Sequence, residues 1–98
     1  MIIVIASIVA RPNSFDELLA LCLAHVKRSR TEPGCRSHAV YRDTENPARL
    51  VFVEEWDDRA ALAAHFAVEG SRAFVRAAGP LSVGEPVLNV FEAGAISV

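Results

Sequence analysis

The chain has 98 residues, enough for one domain and no more. Hydrophobic residues make up 52% of it and charged residues 22%, which supports a packed core and excludes wholesale disorder. Ten Lys and Arg against 12 Asp and Glu leave a formal charge of −2, so the basic stripe of a nucleic-acid binder is missing and no nucleic-acid partner is expected.

Met1 to Ala10 is the longest apolar stretch. It has about half the roughly 20 residues that a bilayer demands. No charged segment precedes it and no convincing cleavage site follows, so it reads as a strand rather than a membrane span or signal peptide. Residues Ile2 to Ala10 form that strand, which stops at Arg11-Pro12. Ser14 with Glu17 three residues on has the capping-box spacing. Phe15, Leu18, Leu19, Cys22 and Val26 then recur at helical spacing, and this helix is expected to end near Thr31, before Glu32-Pro33-Gly34. Arg36 to Asp43 and Leu50 to Trp56 are the second and third strands, with Asn46-Pro47 in the turn between. Asp57-Asp58 caps an alanine-rich helix from Arg59 to about Val68; Glu69-Gly70-Ser71 interrupts it, and Arg72 to Ala78 continues it to Gly79-Pro80. The last strand covers Pro86 to Glu92. The order β-α-β-β-α-β predicts an α+β, ferredoxin-like antiparallel sheet with both helices on one face, in a single domain over 1–98. Such a small, apolar chain leaves a bare sheet face, which predicts a homodimer through that face. Cys22 and Cys35 are expected to be reduced thiols of a cytoplasmic protein.

Several side chains have chemistry to offer. His65 borders the Leu62/Phe66 stripe of the second helix, and an imidazole suits proton transfer at cellular pH; it could equally be a partly buried histidine satisfied by a backbone carbonyl. Glu54 alternates with Leu50, Phe52 and Trp56, so a carboxylate shares a face with large apolar groups and needs a partner. It could orient His65, act as a base, pair with an arginine, or simply close the strand against a helix or a second subunit. His38 shares a strand face with Val40 and Arg42, Tyr41 shares the other, and alternation does not say which looks into the protein. Ser7 interrupts the apolar run of the first strand, with Ile3, Ile5 and Val9 as its strand-mates. Cys22 and His25 sit three apart, half of a metal site, but Cys22 lies in the core stripe and no second ligand pair accompanies it; His25 is expected near the negative end of its helix. No phosphate-cradling glycine motif and no nucleophile elbow is present, so neither metal nor cofactor is expected.

Glu32-Pro33-Gly34-Cys35, Tyr41-Arg42-Asp43, Phe52-Val53-Glu54-Glu55-Trp56 and Leu62-Ala63-Ala64-His65 together resemble the antibiotic biosynthesis monooxygenase (ABM) domain family over nearly the whole chain. The resemblance implies ferredoxin-like protomers paired sheet to sheet as a dimeric α/β barrel. It also implies a functionally mixed background: cofactor-free oxygenases of anthrones and quinols, haem-degrading enzymes, an isomerase. The haem-degrading relatives carry an asparagine about where Ser7 stands, a tryptophan at His65 and a ligating histidine near Val75, and none of these matches. The expectation is a cofactor-independent monooxygenase acting with O2 on a small aromatic phenol, quinol or anthrone-like substrate. His65 would be its base, Glu54 the orienting group or the base itself, Trp56, Phe52 and Phe74 its aromatic wall, and Ser7, His38 or Asn89 its contacts to substrate. An isomerase or tautomerase using the same groups, and a non-catalytic ligand-binding dimer, are the alternatives.

Overall fold

The computed structural model describes all 98 residues. Its strands are β1 (Ile2–Val9), β2 (Cys35–Arg42), β3 (Arg49–Trp56) and β4 (Val87–Glu92), and its helices α1 (Phe15–Ser29), α2 (Arg59–Ala67) and α3 (Glu69–Ala78), followed by a short 3-10 turn at Gly79–Leu81. The strands form one open antiparallel sheet in the order β2-β3-β1-β4, the ferredoxin-like arrangement, with the helices on one face. No helix is long and apolar enough to cross a membrane.

Local chemistry explains most boundaries. β1 ends at Val9, and Ala10 makes only an isolated bridge to Ser82. Ser14 stands at the start of α1, but its side chain makes no capping bond, so the expected capping box does not form; Leu18 N–H bonds its backbone carbonyl instead. Asp58 does cap α2, its carboxylate accepting from Ala61 N–H at 2.8 Å. The break between α2 and α3 falls at Val68, which is extended, and Glu69-Gly70-Ser71 opens the new helix rather than interrupting the old one. Gly34 has φ +81°, and a Cβ there would lie 2.5 Å from the Ala61 Cβ. Both the turn and the approach of α2 therefore require glycine. Gly34→Ala is expected to destabilise the fold by more than about 1 kcal/mol, read as a lower urea midpoint at unchanged slope.

Alternation fixes the inner face. Ile2, Val4, Leu50, Phe52, Glu54 and Trp56 are buried beneath the helices. Two apolar clusters result: one around Leu18, Cys22, Val26, Leu50 and Phe52, the other around Ile2, Val4, Trp56 and Leu62. Between them lie the buried polar groups His25, His38, Glu54 and His65. The outer sheet face carries Ile5, Val53, Tyr41 and Phe91, all exposed.

Candidate functional site

The last turns of α1 supply one wall of the site. Leu18, Cys22, His25, Val26 and Ser29 form its buried stripe, and helical spacing puts His25 on that stripe three residues past Cys22. Ser29 Oγ donates to the His25 carbonyl at 2.6 Å, and an Arg28 guanidinium N–H donates to His25 Nδ1 at 2.7 Å. Glu32 lies one turn beyond Arg28, 3.7 Å from its Nε and too far for a hydrogen bond.

The sheet supplies the floor. Register sets His38 of β2 and Val4 of β1 directly beside Glu54 of β3. Trp56 Nε1–H donates to Glu54 Oε1 at 2.9 Å, and His38 Nε2 stands 3.2 Å from the same oxygen without hydrogen-bond alignment, while His38 Nδ1 has no partner. Burial pushes the Glu54 carboxyl up, but His38, Trp56 and His65 together outweigh it and hold the group below its ordinary value. Glu54 is therefore a buried carboxylate with partners rather than a neutral acid.

α2 brings His65 over this floor. Its ring centroid is 4.6 Å from that of Trp56, and its Nδ1 donates to the Glu32 carboxylate at 2.7 Å. A cavity of about 400 Å³ opens against His25, Phe52, Glu54, His65, Phe66 and Phe74. On the other side a cleft of about 300 Å³ runs along Glu32, Pro33, Gly34, Asp57 and Asp58. His65 is the one residue that lines both.

The residues expected from sequence fall into three groups. Phe52, Glu54, His65 and Phe74 line the cavity together. His38 and Trp56 are buried against them, in ring contact with His65. Ser7 and Asn89 are not among the residues that line the cavity: in the sheet Ser7 pairs with Val51 and Val87, and Asn89 with Ile5. The group hydrogen-bonded to His65 is Glu32, while Glu54 accepts from Trp56 and lines the cavity. Sequence reasoning placed His25 at the helix end rather than in the site. Neither Arg28 nor Glu32 carries a local sequence signal for the contact it makes. The i, i+3 spacing of His25 from the core residue Cys22 was the available signal.

Cys22 is fully buried and burial pushes its thiol up to about 12, which makes it an inert core residue. His25, His38 and His65 each bring a ring nitrogen within 4.8 Å of the others. A metal would need three converging lone pairs, but the Nδ1 lone pair of His25 is engaged by Arg28 and its Nε2 consequently carries the proton. The trio as arranged does not fit an ion.

Burial, with the neighbouring His38, Arg28 and His65, lowers the His25 pKa from 6.5 to about 3. The unfolded chain protonates this imidazole near its ordinary value and the folded chain does not, so between the two the unfolded state binds more protons. Stability that is complete above the ordinary value is thus lost as pH falls toward the folded one, at a limiting slope of about 1.4 kcal/mol per pH unit. Urea midpoints taken at about pH 7 and about pH 5, above the carboxylate range, are expected to drop in the native protein and to drop less in His25→Phe.

Residues 1–77 match the family model described as antibiotic biosynthesis monooxygenase. A Deinococcus radiodurans structure named as a candidate antibiotic biosynthesis monooxygenase superposes with a TM-score of 0.94 at 27% identity, covering 100% of this chain and 98% of that one. A second structure, named as an antibiotic biosynthesis monooxygenase, is 32% identical with a TM-score of 0.90 over 97% of this chain and 100% of its own. A Mycobacterium tuberculosis protein matches at 27% identity and a TM-score of 0.91, covering 99% and 98% of the two chains. An uncharacterised Synechocystis protein is 38% identical over 65 residues, 66% of this chain; the chain spans less than half, 44%, of that relative's length.

Proposed function

Because the chain belongs to the antibiotic biosynthesis monooxygenase family, we propose that it oxygenates a small aromatic phenol, quinol or anthrone-like molecule with O2 and without a cofactor. The observation that carries this reading is the Glu32–His65 pair at 2.7 Å, set in the wall of a cavity that Phe52, Phe66 and Phe74 make aromatic. The carboxylate holds Nδ1–H and leaves His65 Nε2, which has no protein partner, to take a proton from substrate. Deprotonation of an acidic benzylic or phenolic position gives an electron-rich anion that passes an electron to O2. Recombination of the pair forms a peroxide. For an anthrone-type methylene, loss of one water from that peroxide leaves the ketone, so substrate and O2 account for every atom and electron. The protein's work is to bind, exclude water, hold the proton and stabilise the anion.

Oxygen uptake by chelator-treated protein against a panel of hydroquinones and anthrones tests the proposal, beside a no-enzyme control because these compounds autoxidise. Uptake above the control is the expected result. Its absence across the panel overturns the oxygenase reading, and turnover of a panel compound without oxygen would assign an isomerase to the same base.

The same proposal includes a dimer. The exposed outer face, with Ile5, Val53, Tyr41 and Phe91, is an apolar surface of the kind a second copy covers. Light scattering after size exclusion is expected to give twice the mass of one chain, and Ile5→Asp in the middle of that face is expected to shift it toward one.

A further inference from the structure

We infer that His25 is the anion-binding group of the cavity, a neutral imidazole whose Nε2–H receives the oxygen of a phenolate or enolate ligand. The inference deepens the oxygenase proposal and rests on it for the identity of the ligand, though not for the geometry.

A guanidinium has only N–H groups to offer, so the Arg28 contact at 2.7 Å consumes the lone pair on His25 Nδ1 and puts the ring proton on Nε2. Next to it, 5.3 Å between ring centroids, His65 has the opposite arrangement: a carboxylate can only accept, so its Nδ1 carries hydrogen and its Nε2 is the one that can take a proton. Both rings line the same cavity and neither Nε2 has a protein partner. One wall therefore presents an acceptor for a proton and, beside it, a donor for the charge which that proton leaves behind. A neutral donor serves this purpose well: it stabilises developing charge by a charge-assisted hydrogen bond without bringing a competing acid into the site.

The position of Arg28 is itself built into the fold. A Cβ on Gly70 would lie 2.4 Å from Arg28 Nε and 2.6 Å from its Cδ, so the side chain lies in space that only glycine leaves open at the start of α3. Ser71 Oγ accepts from the same guanidinium at 3.3 Å. The His25 ring is stacked on Phe74 at 4.2 Å, nearly parallel at 17°. Arg28 further polarises the imidazole from behind. The charged or titratable groups around this donor are Arg28 behind it, His38 and Glu54 on the floor, His65 with Glu32 beside it, and Glu85 at the cavity edge.

Two measurements test the inference without turnover. In the native protein labelled with 15N-histidine, long-range nitrogen–proton spectra are expected to show the Nε2–H tautomer at His25, and Gly70→Ala, which displaces Arg28, is expected to weaken that preference. A Nδ1–H tautomer at His25 in the native protein overturns the inference. Separately, 4-nitrophenol is titrated into the protein above and below its own ionisation. His25→Phe, which keeps a ring against Phe74, is expected to weaken binding of the phenolate by about tenfold or more and to leave the neutral phenol nearly unchanged. Equal loss for both forms, or no binding of the phenolate to the native protein, overturns the inference. If phenolate binding and tautomer are as stated while oxygen uptake is absent across the substrate panel, the oxygenase proposal fails and the anion site stands.

Discussion

Exchanging His65 for glutamine lowers turnover of an accepted substrate by about 10²–10⁴-fold, the span that a positioned general base contributes. Glutamine is of similar bulk and can keep a hydrogen bond to Glu32, so the packing against Trp56 is disturbed little. What it cannot do is hold the substrate's proton. Glu32→Gln removes the charge that stabilises the imidazolium while keeping the shape of the contact, and its loss of rate is expected to be smaller than that of His65→Gln but clearly measurable. Steady-state oxygen uptake by the two variants, with circular dichroism to confirm that each is folded, checks the order. Full rate in His65→Gln would remove His65 from the role of base.

The largest loss of stability is expected at Trp56. Its side chain is fully buried, packs in the cluster with Ile2, Val4 and Leu62, stacks near His65, and bonds Glu54. Trp56→Ala combines a large cavity with a buried carboxylate stripped of its donor, and about 3–5 kcal/mol is expected to be lost. Trp56→Phe separates the two contributions, because it keeps most of the apolar contact and removes only the N–H. A clearly smaller loss is expected for it. Urea midpoints at one protein concentration measure both, since assembly would otherwise contribute to apparent stability.

Much of this was legible from the chain. The alternation of Leu50, Phe52, Glu54 and Trp56 determined one face of β3, and Asp58 marked the start of α2 as a cap should. β1 was less legible. Both of its alternate sets are apolar, so nothing local says whether Ile2, Val4 and Ala6 or Ile3, Ile5 and Ser7 look toward the helices; that choice is made by packing. The facing of Ser7 was not legible for this reason. The partners of the histidines were hidden for another. Glu32 meets His65, 33 residues away, and Arg28 meets Ser71, 43 residues away, and such contacts exist only after α2 and α3 have folded back over α1. Val68 carries no breaker signal, so the split between the helices was expected at Glu69-Gly70-Ser71 instead.

The place of His65 between the inner cavity and the outer cleft has a kinetic side. For a base in that wall, the incoming organic molecule and the outgoing proton use different doors: the first enters from the aromatic side, the second leaves along Nδ1 and Glu32 toward the acidic rim of Asp57 and Asp58. Release along Nδ1 leaves the substrate's hydrogen on Nε2, so the ring becomes a base again only when Nε2 hands that hydrogen back inside the cavity, and resetting the base is tied to the molecule that fills it.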